Sequence, residues 1–111
     1  MTEYLSIDAT DGYELYLSTG TLPGDAGALA AGHEPNGYFW ESLLAYLVRT
    51  RAPKLADRYD PDSEAGTFIV LTDSRKVAQK LRDLIEPYLG DATLTEAAVA
   101  EATAAGFTFD D

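Results

Sequence analysis

The chain has 111 residues, 46% of them hydrophobic and 24% charged, with a net charge of -11 at pH 7; this is the size and composition of one folded domain spanning residues 1-111. It contains no cysteine and one histidine, His33, which excludes disulfides, thiolate metal sites, cysteine nucleophiles and two-histidine metal centres. Charge is unevenly placed: residues 1-48 hold seven acids and no Lys or Arg, and residues 83-111 repeat that pattern, so both ends repel nucleic acid and attract basic partners.

The start, Met1-Thr2-Glu3-Tyr4, lacks the basic, apolar character of a signal peptide, and no apolar run reaches membrane-spanning length; a soluble, cytoplasmic protein is expected. Apolar residues alternate at Leu5, Ile7 and Ala9 and again at Tyr13, Leu15 and Leu17, on either side of Asp11-Gly12. This predicts a hairpin. A two-residue turn would split the apolar sets between faces, whereas a three-residue loop over Thr10 to Gly12 pairs Ile7 with Leu15 and Leu5 with Leu17. The same register sets Asp8 opposite Glu14, a like-charge pair that suits either a solvated face protected from edge-to-edge pairing or a cationic partner.

Gly20 to Gly37 is rich in Gly, Ala and Pro and reads as loop, with at most a helical turn at Ala28 to Ala31. It is either a functional connection or a linker. A helix is predicted over Tyr38 to Arg51, capped by Asn36 and stopped by Pro53, with Trp40, Leu43, Leu44, Leu47 and Val48 on its buried stripe. Leu55 to Tyr59 suggests a short strand, and Asp60-Pro61-Asp62-Ser63-Glu64-Ala65-Gly66 an acidic turn without the length or central glycine of a calcium loop. Thr67 to Thr72 is nearly all apolar and predicts a mid-sheet strand covered on both faces. A helix follows from Asp73 or Ser74, with Val77, Leu81, Leu84, Ile85 and Tyr88 inward and Arg75, Lys76, Lys80 and Arg82 outward. The last helix opens on the capping box Thr93-Leu94-Thr95-Glu96. Phe107 and Phe109 fasten the tail, leaving Asp110 and Asp111 in solvent. The expected fold is α+β, in the order β-β-α-β-α-α, with helices packed on one small antiparallel or mixed sheet.

No catalytic triad, phosphate-binding glycine loop or metal-ligand spacing is present, so no enzyme activity and no cofactor are expected. Two segments carry a resemblance: Gly32-His33-Glu34-Pro35-Asn36-Gly37-Tyr38-Phe39-Trp40-Glu41-Ser42-Leu43 and Tyr59-Asp60-Pro61-Asp62-Ser63-Glu64-Ala65-Gly66-Thr67-Phe68. Together with the Val77 to Leu89 helix they resemble the immunity protein 51 family of bacterial polymorphic toxin systems. The resemblance implies a protein that binds and neutralises a cognate toxin inside the cell. A basic nuclease cleft would suit so acidic an inhibitor, with His33, Glu34, Asn36, Asp60, Asp62 and Glu64 as the toxin-binding region. The alternative, favoured over a contact role, is that both segments are shared because they hold the fold, with Asn36 as cap and Glu64 as a turn hydrogen-bonder. An acidic module that mimics DNA for a basic host partner is the alternative function. Neither reading requires nucleic acid or a membrane as partner.

Overall fold

A computed structural model describes residues 4-111; the Met1-Thr2-Glu3 start lies outside them. Strands β1 (Ser6–Asp8) and β2 (Tyr13–Ser18) form the hairpin, with Ile7 opposite Leu15 and Asp8 opposite Glu14. The predicted register is the observed one. Gly12, at φ +79°, takes the left-handed position of the loop, and Asp8 accepts hydrogen bonds from the Thr10 N–H at 3.0 Å and the Thr10 hydroxyl at 2.6 Å, closing it from the other side.

Strand β4 (Thr67–Thr72) pairs antiparallel with β2 along its whole length, and the two-residue β3 (Asp60–Pro61) pairs with β4, giving the sheet order β1-β2-β4-β3. The sheet is therefore antiparallel with β4 inside it. Both edges are short, and Pro61 on the outer strand offers no N–H for further pairing, which discourages growth of the sheet.

Helix α2 (Gly37–Arg51) forms the centre of the core. The Asn36 side chain accepts from the Phe39 N–H at 2.9 Å, satisfying a donor that the helix start leaves free. Trp40, Leu43, Leu44 and Leu47 are wholly buried, as is Phe39, which precedes the predicted stripe; each such aliphatic side chain contributes about 1.5–3 kcal/mol of transfer free energy. Helix α3 (Arg75–Leu89) is capped by Ser74 and buries Val77, Leu81 and Ile85, with Pro87 in its last turn. Helices α2 and α3 cover the sheet face carrying Leu15, Leu17, Phe68 and Val70.

Four local expectations change. Asp25–Ala30 is a helix, α1, inside the segment expected to be loop. It packs against α4 (Ala92–Ala104) so closely that a Cβ on Gly27 would lie 2.1 Å from the Ala92 carbonyl oxygen, so packing outweighs the roughly 1 kcal/mol helical penalty of glycine. Leu55 to Tyr59 is not a strand: Pro53–Leu55 forms a 3-10 turn and pairing begins at Asp60. Asp91, not Thr93, caps α4, accepting from the Leu94 N–H at 3.0 Å. Thr95 is buried instead, its hydroxyl donating to the Tyr88 carbonyl at 2.6 Å. Finally, β4 is covered on one face only: Phe68, Val70 and Thr72 are buried, while Leu71 is exposed and Ile69 half-buried. The basis is topological, since among the described residues α2 and α3 pack on the first face and no helix packs on the second.

Candidate functional site

The two motif segments, which lie far apart in sequence, meet at the start of α2. The Gly37 N–H donates to the Ala65 carbonyl at 2.9 Å, and a Cβ on Gly37 would fall 1.9 Å from the Glu64 carbonyl oxygen and 2.4 Å from that of Thr67. Only glycine fits this approach. Glu41, one turn into the helix, accepts from the Ser63 N–H at 3.1 Å. Ser63 in turn uses its hydroxyl to accept from the Ile69 N–H at 2.9 Å and donate to the Ile69 carbonyl at 3.2 Å. The acidic turn is thus held from both sides by hydrogen bonds to α2 and β4.

The six sequence-predicted residues divide by what their side chains do. Asn36 is engaged as the helix cap. His33 is held by the tail: its Nδ1 lies 3.1 Å from an Asp111 carboxylate oxygen, and its ring packs 5.0 Å from Phe109 and 5.9 Å from Phe39. Asp111 was expected in solvent; its carboxylate instead bonds His33 and accepts from the Glu34 N–H at 2.9 Å. Burial acts to raise the Asp111 pKa, but the Glu34 N–H and the His33 ring outweigh it and hold the carboxyl below its ordinary range. The Asp110 N–H donates to the Ser42 hydroxyl at 3.0 Å, so the tail also grips α2. Glu34, Asp60, Asp62 and Glu64 are exposed. The ion pairs among the described residues, His33–Asp111 and Arg51–Glu101, leave these four carboxylates unpaired.

Strand register extends this acidic edge across the open face of the sheet. Residues paired across strands share a face, so Asp8, Glu14, Leu71 and Asp60 form one row over all four strands. Ser6, Tyr16 and Ile69 form the next row, which ends near Asp62, whose N–H donates to the Ile69 carbonyl at 2.9 Å. Acids flank both sides of an apolar centre in which Tyr16 is 39% and Leu71 36% exposed. None of the strands contains Lys or Arg. Tyr16, Ile69 and Leu71 escaped the sequence reading, although Tyr16 alternates with Glu14 and Ser18 on what is there the polar side of β2. At one end of this face lies a cleft of about 610 Å³ whose lining includes Asp11, Asp57, Arg58, Asp60 and Asp73. Among the described residues no group of His, Asp or Glu is placed to hold a metal ion.

Basic residues gather on α3 and near the end of α2. Arg75, Lys76 and Lys80 project from α3, and Lys80 joins Arg51, Lys54, Asp83 and Leu84 around a second cleft of about 570 Å³. Arg51 makes hydrogen bonds of 3.1 Å and 3.2 Å to Glu101, which also accepts from the Tyr46 hydroxyl. The Arg51 bonds chiefly, and Tyr46 after them, hold the Glu101 carboxyl below its ordinary value.

Among the described residues, no helix is long and apolar enough to cross a membrane. Comparison with curated proteins found no match, and comparison with solved structures found none either. A family model, immunity protein 51, matches residues 13–104, from the second strand through the last helix. That span includes both motif segments and the whole of the core sheet and helices except β1, and the chain belongs to the immunity protein 51 family.

Proposed function

We propose that this protein neutralises a cognate bacterial toxin in the cytoplasm by direct protein–protein contact, without catalysis or cofactor. The observation that carries the reading is the set of exposed, unpaired carboxylates of Asp60, Asp62 and Glu64 on a turn held at the point where the two family-like segments meet. Rigid placement lowers the ordering cost of binding, and like charges gathered on one edge favour rapid encounter with a basic surface. A nuclease toxin has such a surface in its phosphate-binding cleft. Glu34 extends the edge, while His33 and Asn36 shape it through the tail contact and the helix cap.

The test is coexpression with the product of the neighbouring toxin gene in a growth assay, followed by isolation of the complex. Restored growth with a stable complex supports the reading. No rescue and no complex overturns it, and capture of a basic host protein that duplex DNA displaces would favour the DNA-mimic function instead. Charge reversal of Asp60, Asp62 and Glu64 together slows association at low salt; an unchanged on-rate removes this edge from the interface.

A further inference from the structure

We infer that the toxin is received on the open face of the sheet, with Tyr16 and Leu71 at the centre of the interface and carboxylates on both margins. The matching toxin surface is an apolar protrusion bordered on two sides by Lys or Arg. This rests on the toxin-binding reading and assigns to it residues outside the acidic turn.

Three observations favour this face. First, Tyr16 and Leu71 are diagonal neighbours in the β2–β4 register, with Ile69 directly opposite Tyr16, so the exposed apolar groups are contiguous. Leu29, Tyr38 and Leu94, also exposed, lie on helices α1, α2 and α4, outside the strand rows that align apolar groups with acids. Second, charge decides the class of partner. Asp8 stands on one edge strand with Glu14 beside it on β2, and Asp60 and Asp62 lie at the other edge, so a second copy of this chain would bring like charges together, whereas a cationic protein gains on both sides. Third, size requires continuity with the turn. The two inner strands have six residues each and the edge strands three and two, which at about 4.8 Å spacing and about 3.4 Å rise give a face of roughly 280 Å², about a third of the ~800 Å² that a stable partner buries on each side. The acidic turn extends the face, because Glu64 continues from the same sheet through its bridge to Thr67. An aromatic and an aliphatic group at the centre with charges at the rim is the distribution in which the centre sets residence time and the rim sets encounter rate.

The experiment measures association and dissociation of the toxin from the neighbouring gene, inactivated in its active site, against the full chain at low and high salt. Tyr16→Ala combined with Leu71→Ala is expected to speed dissociation about tenfold or more, with the fold checked by circular dichroism and thermal melting. Glu14→Lys is expected to slow association several-fold at low salt, and less at high salt. It removes the like-charge pair with Asp8, so folding is not penalised. Glu96→Lys on α4 makes the same change in net charge away from the face and serves as its control, with a smaller effect on association. Dissociation of the double variant within about twofold of wild type, or equal slowing by Glu14→Lys and Glu96→Lys, overturns the inference while the toxin-binding reading stands. If wild type itself forms no complex, both fall.

Discussion

Strand β4 has two faces made of the same kind of residue and placed in opposite surroundings. Phe68 and Val70 point into the helices and are wholly buried; Leu71 and, in part, Ile69 point the other way, with no element over them among the described residues. Composition does not separate the two sets, so burial on this strand is set by which side α2 and α3 occupy. The covered face binds the fold together, and the open face keeps an apolar strip exposed between carboxylates. The difference teaches that an apolar strand is no guarantee of a buried one.

The largest expected effect is on the covered face. Phe68→Ala removes a fully buried ring and is expected to cost about 3–5 kcal/mol in urea unfolding, whereas Leu71→Ala is expected to change stability by about 0.5 kcal/mol. Equal losses would erase the distinction between the faces. Next comes Gly37→Ala, whose Cβ meets two carbonyl oxygens; overpacking of this kind costs about 1–3 kcal/mol. Its effect on toxin binding reports how firmly the acidic turn must be held. Asn36→Ala is expected to cost about 1 kcal/mol through loss of the cap. Asn36→Asp keeps the cap and with it both stability and binding; a loss of affinity without a loss of stability would place Asn36 in direct contact with the toxin.

The smallest effect lies away from both faces, at Glu101. Its carboxyl is held below the ordinary 4.5 by Arg51 first and Tyr46 second, so its contribution to stability is present above that value and lost as pH falls through the lower folded value. Glu101→Gln should therefore weaken the dependence of the urea midpoint on pH between about pH 5 and pH 3, and an unchanged dependence would mean that the contact is too well solvated to count.

The sequence made parts of this molecule legible because they obey local rules. Hairpin register followed from keeping Leu5, Ile7, Leu15 and Leu17 on one side, and α2 from a cap, a stripe and a terminating proline. Other parts answer to tertiary contacts. Helix α1 contains Gly27, which local propensity disfavours and packing against α4 requires. At the start of α4 two residues compete to cap, and burial of Thr95 beneath Tyr88 selects Asp91. Leu55 and Tyr59 looked like the ends of a strand, yet the turn begun by Pro53 carries the chain between them. The acidic turn of the candidate site was visible as a cluster of charges, and its junction with Asn36-Gly37 as two family-like segments. Tyr16 and Leu71 were not visible as surface residues, because only the sheet order puts them side by side in the open.

The most direct measurement pairs stability with toxin affinity for Val70→Ala and Leu71→Ala, neighbours in sequence on opposite faces of β4. Val70→Ala is expected to lower stability by about 1–3 kcal/mol and to bind toxin as wild type does while folded; Leu71→Ala is expected to keep its stability to within about 0.5 kcal/mol and lose affinity. A Leu71→Ala protein that binds within about twofold of wild type, beside a Val70→Ala protein that does not, would contradict the assignment of one face to folding and the other to recognition.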